Sequence, residues 1–457
     1  MEINAESQRD HMLHEPIPKL VVSLAIPTTI SQLITTIYNT ADTYFVAQIG
    51  TSAAAAVGVV FSLMSIIQAL GFGLGMGSGS LISRRLGAGR NEDATRYASS
   101  AVTASCLGGM VIMLLGLLFT EPLMMRLGST QTILPYAAAY ARYILVGAPV
   151  MCMAFTMNGI LRAEGEASYA MWGLCTGGIL NMVLDPLFIF KFGMGISGAA
   201  LATVISQFVS FSILLSIYLR GKSIVKLSLK YASRKVEDYT LIVTTGAPTF
   251  FRQGLASLAS ALMAISAAVY GDAAVAAVTI ANKIYLMVRN IVIGIGQGFM
   301  PVAGYNYGGG RYRRVREAFS FSVFIGTVIN VVAAVLLYVY AEAVITWFRN
   351  DDPEVIAIGI RAIRFVSMAM PFMAFSTYVN QIYQGLGLRL QATILASCRQ
   401  GICFIPLVLI LPRLLGLTGV ILLQPGADIL TFAVMVPFQI ALNRKLKRLE
   451  KEYPAAN

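Results

Sequence analysis

Three carboxylates stand inside long apolar stretches of the sequence: Asp42, Asp185 and Asp428. A charge held in a bilayer is costly, and one found there is a functional-site hypothesis by default. Asn181 precedes Asp185 by four residues, so on a helix the two share a face. Pro186 follows at once; lacking an N–H, it frees the carbonyl of Met182. A carboxylate, an amide oxygen and a loosened carbonyl within one turn suit a proton or a hard cation such as Na+. Thr203, in the next apolar stretch, can add a hydroxyl. The plainer reading of the same residues is a set of helix-to-helix hydrogen bonds. The second half of the chain carries Arg252, Lys283 and Arg289, with Asp428 as its only deep acid. These four, with Tyr38 in the first half, are candidates to line a cleft or to form a buried ion-pair network.

Such residues need a lipid-solvated scaffold, and the composition supplies one. Of 457 residues, 57% are hydrophobic and 12% charged, and the mean hydropathy is +0.72. A soluble domain carries about 25% charged residues, so this chain lacks the polar surface for water. A membrane span takes roughly 20 apolar residues. On that rule there are about twelve spans, near 20–46, 53–82, 95–119, 134–160, 168–190, 196–219, 240–267, 273–303, 316–346, 355–385, 391–412 and 417–442. Alternating apolar and polar strands are absent, which predicts an all-α integral membrane protein.

Lysine and arginine fall in alternate connections. One set holds Arg84, Arg85, Arg90, Arg96, Arg162, the run from Arg220 to Lys235, Arg311 to Arg316, Arg389, Arg399 and the tail from Arg444. The other set holds only Arg126, Lys191, Arg349 and Arg413. This asymmetry places both termini and the basic loops in the cytoplasm, and it accounts for the net charge of +12 without nucleic acid. Five cysteines (Cys106, Cys152, Cys175, Cys398, Cys403) lie in apolar stretches with no CxxC and read as packing residues. His11 and His14 belong to a short, solvated N-terminal tail. No signal peptide is evident. No metal site, cofactor or nucleotide-binding motif is expected, and no constellation for an intramembrane enzyme appears.

An internal repeat organises the spans. A shift of 221 residues maps Gly50-Thr51-Ser52-Ala53-Ala54 onto Gly271-Asp272-Ala273-Ala274-Val275, and Ala25-Ile26-Pro27 onto Gly246-Ala247-Pro248. It also maps Gly73, Gly75 and Gly77 onto Gly294, Gly296 and Gly298, and Gly87-Ala88-Gly89-Arg90 onto Gly308-Gly309-Gly310-Arg311. Six spans per repeat is an even number, so the halves enter from the same side, as in parallel-repeat transporters. The expected organisation is a cytoplasmic tail (1–19), a first lobe (20–219), a basic cytoplasmic linker (220–237), a second lobe (238–443) and a basic cytoplasmic tail (444–457). Two pseudo-symmetric six-helix lobes then face each other across a central cleft. Pro27 and Pro248 interrupt the first span of each lobe and are candidate hinges. The run Gly71, Gly73, Gly75, Gly77, Gly79 lies within a span and reads as close helix packing rather than a phosphate loop.

Several segments resemble the multidrug and toxic compound extrusion (MATE) transporters, within them the DinF-like and MepA-like bacterial branches. They are Leu24-Ala25-Ile26-Pro27, Tyr38-Asn39-Thr40-Ala41-Asp42-Thr43, Leu86-Gly87-Ala88-Gly89-Arg90, Asn158-Gly159-Ile160-Leu161-Arg162-Ala163-Glu164-Gly165 and Asn181-Met182-Val183-Leu184-Asp185-Pro186. The resemblance spans nearly the whole chain. It implies export of amphipathic, often cationic compounds in exchange for H+ or Na+, by alternating access, from the bacterial inner membrane. It also implies a first-lobe cation site at Asp42, Asn181, Asp185 and Thr203, with Asn158 nearby, in a protein expected to act as a monomer. Some branches use an acid in the seventh span; here that region holds Arg252 and Gln253. The rival reading is a flippase for lipid-linked or other anionic precursors, which would use Arg252, Lys283 and Arg289 to hold phosphate.

Overall fold

Long apolar runs leave the backbone no water to bond, so each must satisfy its own N–H and C=O groups as a helix. The structure, a computed structural model, describes residues 5–348 and 352–453; Arg349 lies outside them. A short helix, α1 (Ala5–His14), precedes the bundle. Among the described residues, twelve helices are long and apolar enough to cross a membrane. The first six are α2 (Ile17–Ala47), α3 (Thr51–Gly87), α4 (Asn91–Leu118), α5 (Leu134–Glu164), α6 (Ala167–Lys191) and α7 (Gly195–Leu219). The second six are α8 (Val236–Ala268), α9 (Asp272–Gly308), α10 (Tyr312–Val339), α11 (Pro353–Gly385), α12 (Arg389–Leu415) and α13 (Leu423–Glu452). The chain is an all-helical, multi-pass membrane protein.

The internal repeat is visible in the packing. Within the first six helices α2 packs on α6, α3 on α5, and α5 on α4 and α7; α8 on α12, α9 on α11, and α11 on α10 and α13 repeat the pattern. Equivalent turns use the same backbone. Gly165 and Gly387 end α5 and α11 at φ 94° and 72°, a left-handed conformation that costs glycine no side-chain clash. Even a side-chain tie recurs: Asn158 Nδ2 donates to the Ala170 carbonyl at 2.7 Å, and Asn380 Nδ2 to the Ala392 carbonyl at 2.9 Å.

Contacts between the halves are also exchanged by symmetry, α2 meeting α9 and α3 meeting α8, with α3 and α9 touching along their ends. The glycine run of α3 shows how one helix serves both partners. Residues two apart fall on nearly opposite helix faces, while residues four apart share one. Gly71, Gly75 and Gly79 accordingly lie against Phe155, Thr156 and Gly159 of α5, within the first half. Gly73 lies against Phe250, and Gly77 against the backbone of Ile242 and Gly246, all of α8. Near the chain termini the approach tightens further, with Gly87 against the Tyr305 carbonyl and Gly308 against the Arg84 carbonyl. The halves are thus zipped at the end bearing the termini and separate toward the other.

Two expectations are corrected. Residues 5–14 are not a simple solvated tail: α1 docks across the zipped end, burying Met12 and Leu13. Arg9 Nε donates to the Gly87 carbonyl at 3.0 Å and Asn306 Nδ2 to the Met12 carbonyl at 3.1 Å, tying α1 to both halves. The second concerns the prolines. Neither Pro27 nor Pro248 interrupts its span, since α2 and α8 run through them as single helices. Next to Pro27, Ser31 Oγ donates to the proline's carbonyl at 2.9 Å.

Candidate functional site

The first-half acids converge from two helices. Asp185 ends the α-helical part of α6, where Pro186 is followed by a π-turn over Leu187–Lys191; widened turns of this kind often mark functional positions. Asp185 is fully buried, and Asn181 Nδ2 donates to its Oδ1 at 3.2 Å. The same amide nitrogen lies 3.3 Å from Thr203 Oγ1 of α7, which in turn donates to the Ala199 carbonyl at 3.1 Å. Asp42 reaches the group from α2 and lies within Coulombic range of Asp185. Asp42 Oδ1 and Asp185 Oδ2 are both buried with no hydrogen-bond partner among the described residues. A buried acceptor left unpaired costs roughly 1–3 kcal/mol, more for a charged one, so two of them in one place form a ready binding site for a proton or a hard cation.

Two further groups belong here. The Tyr140 side chain of α5 is fully buried within electrostatic reach of Asp42, Asp185 and Tyr38, with its hydroxyl beside Thr203. Ser206 is three residues beyond Thr203 and shares its face; its hydroxyl has no partner among the described residues. The Ser206 spacing was readable in the sequence. Tyr140 was not, since Tyr136, Tyr140 and Tyr143 look like an interfacial aromatic belt. Asn158 is one step removed: its amide is committed to Ala170, and with Tyr38, Gln207 and Ser210 it lines a separate small cavity.

A cavity of about 890 Å³ lies between the halves, with its floor where Phe250 covers Gly73. Phe61, Ile66 and Leu70 of α3 form an apolar wall; Gln253, Asn282, Tyr285 and Arg289 face it from α8 and α9. Neither Asp42 nor Asp185 lines it. What connects acids and cavity is α2 itself. Thr28, Gln32 and Thr36, each four residues apart, bond to the Gly294 carbonyl, Gln297 Oε1 (3.0 Å) and Asn290 Nδ2 (2.7 Å) of α9. One helix therefore carries both Asp42 and three side-chain bonds across the seam.

The basic second-half residues divide. Lys283 is exposed and joins no network among the described residues. Asp428 does not pair with Arg252, Lys283 or Arg289 but with Arg399, Nε to Oδ1 at 2.6 Å. Tyr285 donates to Asp428 Oδ2 at 2.8 Å and is itself bonded by Arg399. Arg399, counted in the sequence with the basic connections, instead sits inside α12 on a π-turn (Cys398–Ile402), with its side chain only 13% exposed. Arg162 is likewise buried rather than in a loop, bonded to Gln297 across the seam. Arg252 and Arg289 line a small cavity beside Arg399.

The MatE family model matches residues 27–187 and 248–410, one stretch in each half. The multidrug export protein MepA of Staphylococcus aureus (strain MRSA252) is 27% identical over 410 residues, covering 89% of this chain and 90% of that protein. MepA of Staphylococcus saprophyticus is 26% identical over 405 residues, covering 88% and 89%. A solved structure described as the outward-facing conformation of a multidrug resistance MATE family transporter superposes with a TM-score of 0.90. It is 28% identical, and the match covers 96% of this chain and 98% of that one.

Proposed function

From the premise that the chain belongs to the MATE family of multidrug efflux transporters, we propose that it is a secondary antiporter whose coupling cation binds at Asp42 and Asp185. The observation that carries this is the pair of buried, unpartnered carboxylate oxygens at the meeting of α2 and α6. An incoming H+ or Na+ satisfies both acceptors and draws α2 toward α6. Because α2 also holds Thr28, Gln32 and Thr36 against α9, that movement works on the seam between the lobes. Alternating access then follows, with Pro27 as the point in α2 where a freed carbonyl eases bending.

With the basic connections in the cytoplasm of a bacterial inner membrane, the zipped end is cytoplasmic and the cavity faces outward, ready to release cargo. One chain carries both lobes and the whole cavity, so a monomer suffices. The family match favours drug export over the flippase. The test is transport of a fluorescent amphipathic compound by purified protein in proteoliposomes, with a pH gradient and a Na+ gradient imposed separately. Movement driven by one of them is expected; movement indifferent to both overturns antiport.

A smaller effect is expected at Thr203. Its hydroxyl anchors Asn181, which anchors Asp185. Losing one such bond costs about 0.5–1.5 kcal/mol, so Thr203→Ala should need roughly two to ten times more of the driving cation for half-maximal transport. An unchanged requirement would remove Thr203 from the site.

A further inference from the structure

The cargo cavity carries the wrong charge for a simple cation. Among its lining residues only Arg289 is charged, and no carboxylate is present. Behind Arg289 an adjoining cavity of about 50 Å³ brings Arg252, Arg289 and Arg399 together, with Asn380, Thr377 and Thr431 as polar neighbours. The one nearby acid is already occupied: both oxygens of Asp428 accept bonds, Oδ1 from Arg399 and Gln424, Oδ2 from Tyr285. Arg399 is thereby compensated. Arg252 and Arg289 make no hydrogen bond or ion pair with any described residue; Asp428 reaches Arg289 only at longer Coulombic range, and Arg252 lies within Coulombic range of the partly unpaired guanidinium of Arg162.

Guanidinium groups with no directly bonded counter-charge at membrane depth persist where an anion can reach them. Their planar forks match a carboxylate or phosphate bidentately. The apolar wall of Phe61, Ile66 and Leu70 stands across the same cavity. We propose that Arg252 and Arg289 form an anion-binding subsite, and that the preferred cargo is an amphipathic organic anion, or a zwitterion whose acidic group docks there. This rests on the large cavity being the cargo site of the antiporter. Carboxylate, sulfonate and phosphate share the recognising chemistry, and the phosphate could be that of a lipid headgroup.

The test is equilibrium binding to the full chain in phosphatidylcholine nanodiscs, without any gradient and with empty discs subtracted. Three probes share one ring system: 1-pyrenebutyrate, 1-pyrenebutanol and 1-pyrenebutyl-trimethylammonium. The butyrate should bind at least tenfold more tightly than the ammonium. Arg289→Gln and Arg252→Gln should each weaken the butyrate fivefold or more while leaving the butanol within twofold, and Arg289→Lys should recover part of the loss. Equal or tighter binding of the ammonium to the parent protein overturns the proposal, as does unchanged butyrate binding in both Gln variants. Replacing a third of the lipid with phosphatidylglycerol separates the sources: competition identifies a lipid headgroup as ligand, and undiminished butyrate binding identifies a free anion. If gradient-driven transport fails while this binding holds, the antiport reading falls and the subsite stands; the reverse result removes only the subsite.

Discussion

Proteoliposomes bearing Asp42→Asn or Asp185→Asn should exchange substrate but no longer concentrate it. For one proton per substrate, with the membrane potential clamped at zero, each pH unit supplies about 1.4 kcal/mol, a tenfold accumulation. A gradient of two units therefore sustains up to roughly a hundredfold accumulation in the parent protein and none in an uncoupled variant. Asparagine keeps the size and hydrogen-bonding of the neutral acid but cannot release a charge, so the site is held in one state. The cavity is untouched, since neither residue lines it; counterflow of preloaded substrate should continue near the parent rate. That contrast separates uncoupling from misfolding. Parent-level accumulation in both variants would remove the acids from the mechanism. If Na+ is the coupling ion, the same loss appears under a Na+ gradient.

The acids were legible in the sequence because intramembrane carboxylates are rare, and Asn181 and Thr203 because helical spacing ties them to Asp185. The twelve spans and the two-lobe repeat were legible for a related reason: hydrophobic length and a constant shift are one-dimensional signals. What failed was anything set by three-dimensional placement near a span boundary. Arg162 falls just past the end of the span near 134–160 and Arg399 inside the span near 391–412, yet charge counting assigned both to the connections. The structure buries both against polar partners contributed from far away in the chain, Gln297 and Asp428. Lys283 failed the other way. It lies mid-span in the sequence, yet its side chain is on an exposed face of α9, and no spacing rule could tell that face from the one carrying Arg289 before the packing was known. Tyr140 is missing for the same reason, its partners coming from α2, α6 and α7 at once.

The seam between the lobes gives the second large effect. Replacing Gly77 by leucine should open the zipped end. A Cβ at this position would stand 2.3 Å from the Ile242 carbonyl oxygen and 2.8 Å from the Gly246 nitrogen. Both are backbone atoms of α8, which cannot rotate aside as a side chain can. Overpacking of this kind costs about 1–3 kcal/mol, and here the strain vanishes once the lobes part. The cost therefore falls on one conformation alone, and a differential of this size shifts a two-state ratio by roughly five- to 150-fold. Nitroxides at Asn91 and Arg313, exposed positions at the starts of α4 and α10, would report the separation. The parent should give a single short distance population, and Gly77→Leu a dominant longer one with transport reduced in proportion. Gly58→Leu is the matched control: nothing lies within 4 Å of a Cβ there, so the same change in bulk should leave the distances unmoved. Gly75→Leu is the opposite control, because its contacts with Phe155 and Thr156 lie within the first lobe. It should lower the unfolding temperature without favouring the longer distance. A Gly77→Leu protein that keeps the short distance and full transport would show that this contact does not govern the closing of the two lobes.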